Sequence, residues 1–446
     1  MTVDEAAAIT AENADDIRAW QSLALLNEGE ELSREDVERV RLIGFVARRG
    51  IAPAELARIC QEQGDMLATF ARWGITPGRE VAMSREQAAA KIGVDPELFD
   101  TFWFAAGLRD QALVFEEDLA IMQAANAALQ VGLPVEAMVQ IVRVLAASLD
   151  RVSETMTRVF HLYVHERFRA EGLSGADLMA ATQGVADPMT GLVEPAVLYF
   201  HRKAWERANR EDLLLHLMEE TTPPSETIGE LVRTVLFVDL SSFTPLTEAM
   251  GDAVAARIIE RFADMVRELA FGCDGQVIKQ IGDEFMLVFS HPAAAVAFGA
   301  RMHESAAAEP RFPALRIGAH TGSVLYRDGD YVGTNVNLAA RITGAARRNQ
   351  FVISDAVRRI VADVDVDTLG RVTLKGVAEP VELFAVRTAA PRSAKTTDPV
   401  CGMELDDSSS EANLGWHGRQ IQFCSEDCLR RFLDAPERYE LAGDQR

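Results

Sequence analysis

The chain has 446 residues, of which 48% are hydrophobic and 25% charged, and its formal net charge is −23. These values predict a globular protein of about two or three domains, and the charge argues against binding to nucleic acid or an anionic membrane surface. No apolar run reaches the ~20 residues of a membrane helix, and the acidic N-terminus lacks the layout of a signal peptide. We therefore expect a cytoplasmic protein without a membrane span. The five cysteines are odd in number and unevenly spaced, which excludes a secreted disulfide framework.

Two polar segments divide the chain. Residues 219–230 carry two prolines and no helical apolar stripe, and residues 388–397 are small, polar and interrupted by a proline. We expect both to be linkers, because such segments cannot bury a core. They predict domains at residues 1–218, 231–387 and 398–446.

The first domain is predicted to be all-α, because apolar residues recur at helical spacing, for example in VEAMVQIVRVLAASLDRVSETMTRVF. Residues 84–108 have the cadence of a helix-turn-helix, for which DNA binding is one interpretation. Residues 84–110 hold three basic against five acidic side chains, so packing is favoured over DNA reading. His161 and His165 could form a pH-sensitive pair, but two ordinary histidines on a helix face are the plainer interpretation.

The middle domain alternates strand and helix patterns. LVRTVLFVDL, LRIGAHTGSVL and the two halves of GQVIKQIGDEFMLVFS read as strands, the last two joined by a tight turn at residues 281–284. DAVAARIIERFADMVRELA and AAAVAFGARMHESAAA read as helices, and VNLAARITGAAR forms a further helix. The order β-α-β-β-α-β predicts an α+β ferredoxin-like core.

Polar side chains of this domain stand where strands end. Asp239 ends the first strand and Asp283 lies in the tight turn, so that the two carboxylates could share a divalent cation with substrate phosphates. Taken alone, each is more often a cap or turn residue. Lys279 precedes the turn, and Asp330 lies in DGDYVG. Each of these also has an ordinary interpretation as a solvated or turn residue.

Taken together, these residues carry a resemblance. DLSSFT, VIKQIGDEF, IGAHTGSV and DYVGTNVNLAARI, in this order, resemble the catalytic domain of class III adenylyl cyclases over about residues 232–387. The resemblance implies an adenylate cyclase, a phosphorus–oxygen lyase that converts ATP to 3′,5′-cyclic AMP and pyrophosphate. A guanylyl cyclase and a catalytically silent nucleotide-sensing module are the alternatives on the same fold, and a transcription regulator is the alternative outside it.

The resemblance also implies a two-metal site at a homodimer interface. Asp239, Asp283 and the backbone of Leu240 would hold two Mg²⁺ or Mn²⁺ ions in each site. Asn337 and Arg341, four residues apart on one helix face, would orient and stabilise the reacting phosphate. In the family the metal aspartates come from one subunit and the remaining groups from the other. Because one chain carries all of them, a two-fold homodimer would build two complete sites.

The resemblance implies that Lys279 and Asp330 read the nucleotide base. Adenine offers an acceptor at N1 and a donor at its amine, which match a lysine and an aspartate. Guanine presents the reverse polarity and would leave a buried charge unpaired, so ATP is favoured over GTP. Lys375, in LKGVAEPVELFAV, is a weaker match to a basic residue near the terminal phosphates.

The last domain carries three cysteines with the spacing C-x22-C-x3-C. DPVCGM, FCSEDC and PERY resemble the YHS domain, one of the TRASH-like modules linked to heavy-metal handling. Cys401, Cys424 and Cys428 could bind Zn²⁺ or Cu⁺, with His417 as a less favoured fourth ligand, whereas a reduced-thiol fold without metal is the alternative. We expect this module to fold independently with a modest effect on catalysis. The first domain diffusely resembles the helical regulatory half that precedes actinobacterial cyclase domains, which implies that it controls the dimer.

Overall fold

The computed structural model describes residues 1–74, 82–109, 111, 113–219, 227–309, 311–388, 396–405 and 409–439. The chain divides into two compact units, residues 1–224 and 225–446. Most of both predicted linkers, at residues 220–226 and 389–395, lies outside the described residues. Within the described part, every helix is too short or too polar to cross a bilayer.

The N-terminal unit is helical, as predicted. Its helices are α1 (Val3–Thr10), α2 (Ala14–Ser22), α3 (Arg34–Ala47), α4 (Pro53–Gln63), α5 (Met66–Gly74), α6 (Arg85–Ile92), α7 (Pro96–Ala105), α8 (Glu116–Gln130), α9 (Val135–Phe160), α10 (Glu166–Ala170) and α11 (Gly175–Glu219). A short ladder pairs β1 (Ala82–Met83) with β2 (Val114–Phe115), and a π-helical turn (His161–His165) links α9 to α10.

The segment with a helix-turn-helix cadence forms α6 and α7. Ser84 caps α6 through a capping box with Gln87, which the sequence S-R-E-Q encodes locally. Phe99, Phe102 and Trp103 of α7 are fully buried in a cluster shared with α6 and α8. The segment therefore packs as core, the interpretation that its acidity favoured.

Helix α9 leaves an apolar seam exposed within the N-terminal unit. The seam residues follow one another at spacings of three or four, as in a coiled coil, and more than a third of each side chain is exposed: Ile141, Leu145, Leu149, Val152, Met156 and Val159. Beyond the seam, His161 and His165 stack with ring centroids 4.8 Å apart. Burial, and then the nearby His161, lower the pKa of His165.

The second unit is built on one large sheet. Its strands are β3 (Glu230–Leu240), β4 (Gly275–Ile281), β5 (Glu284–Phe289), β6 (Leu315–Arg327), β7 (Asp330–Val332), β8 (Gln350–Ser354), β9 (Val366–Val372) and β10 (Val381–Val386). Its helices are α12 (Phe243–Met250), α13 (Asp252–Phe271), α14 (Pro292–Ala308), α15 (Thr334–Ala345) and α16 (Asp355–Ile360).

The strand order is β4-β5-β3-β6-β8-β10-β9, with β7 paired to the far end of β6. The first four strands are antiparallel neighbours and form the predicted ferredoxin-like core. The strands β8, β10 and β9 extend it, an extension that the sequence analysis did not predict. Helices α13 and α14 cover one face of the sheet with a large apolar core, and α15 covers part of the other face.

The C-terminal module comprises β11 (Thr396–Thr397), β12 (Glu404–Leu405), β13 (Ala412–Trp416), β14 (Arg419–Phe423), α17 (Glu426–Asp434) and a 3₁₀ turn (Pro436–Arg438). Its buried residues, among them Met403, Phe423 and Phe432, belong to the same continuous apolar cluster as α13 and α14. Met403 also forms a β-bridge to Pro313. The expectation of an independent module is therefore wrong: the module and the sheet share one core.

Candidate active site

Strand register assembles an acidic site at the end of β3. Glu284 on β5 and Arg316 on β6 both lie directly opposite Asp239. Residues paired in this way project from the same face of a sheet, so the three side chains meet on the face that α15 partly covers. Asp283 precedes β5 and interacts electrostatically with Asp239. We call Asp239, Asp283 and Glu284 the carboxylate cluster.

The carboxylate cluster is short of positive charge. The Arg316 guanidinium donates to Asp239 and supplies one counter-charge to three carboxyl groups. Burial raises the pKa of Asp239 to about 6, although Arg316 opposes this shift. Burial, Asp239 and Asp283 raise the pKa of Glu284 to about 7. A divalent cation among these hard oxygen donors would remove the repulsion, so the residues present fit magnesium or manganese.

Sequence reasoning missed Glu284 and Arg316. Both lie inside motifs that it used, IGDEF and LRIGAH, but their position depends on the pairing of β3 with two different strands. The alternation of the strand patterns could have placed them on one face. The backbone of Leu240 lies at the last pair of β3 with β6, and the next amide, of Ser241, donates to the Ala314 carbonyl at 2.7 Å.

The structure brings Lys279 and Asp330 together. The Lys279 ammonium donates to the Asp330 carboxylate, whose other oxygen accepts from the Tyr331 amide at 2.8 Å. The register of β4 against β5 shifts between Val277 and Lys279, so that Lys279 lies opposite Met286, on the α15 side of the sheet. The predicted base readers thus form a half-buried donor and acceptor pair fixed by a β-bulge.

Helix α15 presents Asn337 and Arg341 to solvent, because both side chains are exposed. Two glycines of β6 allow the helix to lie close to the sheet. A Cβ on Gly318 would stand 2.4 Å from the Thr343 amide nitrogen, and one on Gly322 would stand 2.6 Å from the Asn335 side chain. The two glycines of the motif IGAHTG therefore allow α15 to pack closely against β6. Lys375 is also exposed, in the turn that follows β9.

A buried polar network orients α15. His320 of β6 bonds to the Ser354 hydroxyl at 2.8 Å through Nδ1 and to the Asn335 carbonyl oxygen at 3.0 Å through Nε2. The Asn335 amide donates to the Ser323 carbonyl at 2.7 Å. Burial lowers the pKa of His320, which favours the neutral ring that such a network requires. The network fixes the first turn of the helix that carries Asn337.

The three C-terminal thiols converge. The sulfur of Cys424 lies 3.4 Å from that of Cys401 and 3.6 Å from that of Cys428, and all three residues are buried. We call them the thiol cluster. Asp398 completes a group whose ligand atoms lie within 4.8 Å of one another. His417 lies in the turn between β13 and β14, with its ring against Trp416, in keeping with its being the less favoured fourth ligand. Asp398, which the sequence did not single out, lies beside the thiols.

Asp398 organises the thiol cluster through the backbone. Its carboxylate accepts from the amides of Val400 and Cys424, each at 2.8 Å, and from the amide of Cys401 at 3.3 Å. Hydrogen bonds from the other two thiols lower the pKa of Cys428, whereas its bonds to Cys424 and Cys428 raise the pKa of Cys401. The cluster can thus hold one thiolate readily, and a soft cation would favour ionisation of the others.

Family comparisons agree with these three regions. Residues 230–388 match the adenylate and guanylate cyclase catalytic domain, residues 21–200 the adenylate cyclase regulatory domain, and residues 396–442 the YHS domain. The chain therefore carries an adenylate and guanylate cyclase catalytic domain, an adenylate cyclase regulatory domain and a YHS domain. The carboxylate cluster and the pair Lys279–Asp330 lie in the catalytic domain, and the thiol cluster lies in the YHS domain.

Two similar proteins match more than half of this chain. A protein named pH-sensitive adenylate cyclase from Mycobacterium tuberculosis is 28% identical over 80% of this chain and 89% of its own. An adenylate cyclase from Streptomyces coelicolor is 28% identical over 64% of this chain and 72% of its own. Among solved structures, the adenylyl cyclase CyaB from P. aeruginosa is 23% identical, covers 36% of this chain and 95% of its own, and has a TM-score of 0.34.

Proposed function

We propose that this cyclase converts ATP to 3′,5′-cyclic AMP and pyrophosphate, with two Mg²⁺ or Mn²⁺ ions in each of two sites of a cytoplasmic homodimer. The observation that carries the proposal is the carboxylate cluster, in which one arginine faces three carboxyl groups. Bound cations would supply acidification of the ribose 3′-hydroxyl and neutralisation of the triphosphate. The five cysteines are unpaired, in keeping with a reducing compartment.

We assign a separate role in the reaction to each residue of the site. Asp239 and Asp283, with the Leu240 carbonyl, would hold the cations, which would neutralise the triphosphate. Arg341 donates to the oxygens of the α-phosphate as charge builds there, and Asn337 orients the ribose and phosphate for in-line attack. We assign Lys375 to the terminal phosphates. The cations, when bound, would lower the pKa of the 3′-hydroxyl, so we assign no side chain as its base, and the proton would pass to water.

Base recognition rests on the pair of Lys279 and Asp330. The Lys279 ammonium donates to the Asp330 carboxylate, so the two groups lie within reach of one base. Adenine can insert between them, since its N1 accepts from the ammonium and its amine donates to the carboxylate. Guanine would place its own donor against the lysine and its acceptor against the aspartate, which leaves both charges unsatisfied.

The homodimer is supported by two separate features. Asn337 and Arg341 project from an exposed helix face, where a second subunit can bring its carboxylate cluster to them. Within the N-terminal unit, the exposed seam of α9 has the spacing of a coiled-coil contact. We propose that the N-terminal unit holds two chains together and regulates the cyclase.

The test is cyclic nucleotide formation from ATP and from GTP by the full chain, with Mg²⁺ and with Mn²⁺. We expect ATP to be preferred by ~10²-fold or more, because a base with the wrong polarity leaves buried charges unpaired. Lys279→Met should lower this preference more than it lowers turnover, whereas Lys203→Met, a lysine on the surface of α11, should change neither. Equal turnover of ATP and GTP by the wild type would refute the substrate assignment.

A second proposed function is binding of a soft cation, such as Zn²⁺ or Cu⁺, by the thiol cluster. It is supported by three buried sulfurs at 3.4 and 3.6 Å from their neighbours, with a carboxylate beside them. Thiolate ligation favours soft cations over magnesium. Competition titration of the full chain under reducing conditions should give an affinity that rises with pH, because thiols release protons on binding. The triple variant with Cys401, Cys424 and Cys428 changed to Ser should lose this affinity for the soft cation. Equal affinity in the wild type and the variant would exclude the thiol cluster as the binding site.

A further inference from the structure

One arginine joins the thiol cluster to the loop that follows the metal-binding strand. Arg348, beyond the end of α15, donates to the Ser242 hydroxyl at 2.8 Å and to the Gly402 carbonyl at 2.6 Å. A longer contact of 3.5 Å reaches the Ser241 hydroxyl. Ser241 and Ser242 directly follow Leu240 at the end of β3, and Gly402 directly follows Cys401.

The two loops joined by Arg348 are also in direct steric contact. A Cβ on Gly402 would stand 2.7 Å from the Cβ of Ser242. Both residues have left-handed backbones, with φ of 74° at Gly402 and 65° at Ser242. A non-glycine residue in that region is uncommon, and surrounding contacts must hold it there. The Arg348 side chain, which also donates to the Gly402 carbonyl, therefore maintains the Ser242 conformation.

The arginine is held by neutral groups. The partners named above are hydroxyl and carbonyl oxygens, and its Nε has no hydrogen-bond partner among the described residues. Burial lowers the pKa of Arg348, while the nearby Glu404 and Cys401 oppose this shift. A half-buried cation bound in this way is sensitive to any negative charge that develops beside it, and ionised thiols are such charges. Asn349, the next residue, adds a bond to Glu404 of the same module.

We propose that Arg348 couples the thiol cluster to the catalytic metal loop, so that a soft cation bound by the thiols strengthens binding of the nucleotide with its metal ions. The coupling rests on both proposed functions. A cation on Cys401, Cys424 and Cys428 ties the loop that bears Gly402 to β14 and α17. The Gly402 carbonyl then holds Arg348, and Arg348 holds Ser242 beside Asp239. Arg348 is a positioning residue in this scheme, because it acts through the loop.

The order of events gives the sign of the coupling. Cation binding orders the Gly402 turn. Nucleotide binding afterwards therefore loses less conformational entropy, and each ligand strengthens binding of the other. Linkage requires the effect to be reciprocal: the factor by which Zn²⁺ strengthens nucleotide binding equals the factor by which nucleotide strengthens Zn²⁺ binding. The coupling can thus be measured without any turnover.

The experiment is Zn²⁺ competition titration of the full chain under reducing conditions, with and without saturating Mg²⁺ and 3′-deoxy-ATP, which lacks the attacking hydroxyl. The thiol-free triple serine variant corrects for zinc bound elsewhere. We expect the nucleotide to raise the Zn²⁺ affinity of the wild type at least ~3-fold. Arg348→Ala should reduce this ratio to one, whereas Arg347→Ala, its exposed neighbour, should keep the wild-type ratio.

Two further variants protect the test against a folding failure of Arg348→Ala. Ser242→Gly suits the left-handed backbone and removes the hydroxymethyl side chain that accepts from Arg348, and it should lower the ratio. Gly402→Ala forces the two loops apart and should do the same. If the wild type binds both zinc and nucleotide but its Zn²⁺ affinity is the same with and without nucleotide, the coupling is overturned and both proposed functions stand. Absence of thiol-dependent zinc binding, or of 3′-deoxy-ATP binding, refutes the corresponding proposed function and the coupling with it. Wild-type ratios in folded Arg348→Ala and Ser242→Gly would overturn Arg348 as the link.

Discussion

The carboxylate cluster and the thiol cluster are two ligand sets in one compact unit, and they differ in almost every physical respect. The carboxylate cluster lies at a strand end, on the sheet face that α15 only partly covers, with a bound arginine. The thiol cluster is wholly buried within a core that the module shares with the sheet. The first uses hard oxygen donors and the second soft sulfur donors.

This difference suits the two proposed roles. A catalytic cation has to accept substrate oxygens, so its protein ligands must leave positions open, and carboxylates at a strand end can do so. A cation held by thiolates in a closed site gains its affinity from burial and complete ligation. The proposed catalytic and soft cations would therefore prefer different sites of the chain.

The largest expected effect is on the open site. Asp239→Asn and Asp283→Asn should each lower kcat/KM for ATP by ~10³-fold or more, because the cations lose a charged ligand. Asp264→Asn, an exposed carboxylate of α13, should leave kcat/KM unchanged. Near-normal kcat/KM in Asp239→Asn would remove the carboxylate cluster from catalysis. Neither variant should alter the Zn²⁺ affinity of the thiol cluster measured without nucleotide.

The second expected effect separates a shared site from a self-contained one. Asp239→Asn and Arg341→Ala should both be nearly inactive alone, and co-expression should restore about one quarter of wild-type specific activity, since half the dimers are mixed and each keeps one intact site. Tagging the two chains differently isolates the mixed dimers. Inactive mixed dimers would show that one chain supplies the whole site.

A smaller effect concerns protons. The pKa of Asp239 is raised to about 6 and that of Glu284 to about 7, so protons compete with the catalytic cation as the pH falls. The Mn²⁺ concentration for half-maximal activity should therefore rise ~10-fold between pH 7.5 and pH 6. Glu284→Gln removes one titrating group and should flatten this dependence. An unchanged slope in Glu284→Gln would show that Glu284 does not titrate in this range.

The smallest effect concerns the N-terminal unit. Deleting residues 1–218 should change specific activity several-fold, because small shifts between two catalytic domains displace groups that need ~0.5 Å placement. Zn²⁺ affinity of the thiol cluster without nucleotide should not change, since all its ligands lie in the second unit. If the truncated protein keeps the specific activity and pH dependence of the full chain, the N-terminal unit has no regulatory role beyond dimerisation.

Much of this organisation could be predicted from local sequence. The nearly continuous apolar run of LVRTVLFVDL predicted the buried strand β3. The helical spacing of DAVAARIIERFADMVRELA predicted α13, because a helix buried on one face imposes that period. Asp239, Asp283 and the three cysteines were recognisable because their neighbours in the chain mark strand ends, turns and a cysteine motif. That Lys279 and Asp330 serve one base is an expectation from resemblance alone, since 51 residues separate them.

Other features depended on tertiary structure alone. Glu284 and Arg316 join the site only because β3 pairs with β5 on one side and β6 on the other. Asp398 lies beside the thiols, and Arg348 reaches Gly402 across 54 residues of sequence. Local sequence determined which segments become helices and strands and which side chains carry the chemistry. Only the packed fold decided which counter-charges and loops those side chains meet, because register and the shared core bring together residues that have no periodic relation in the chain.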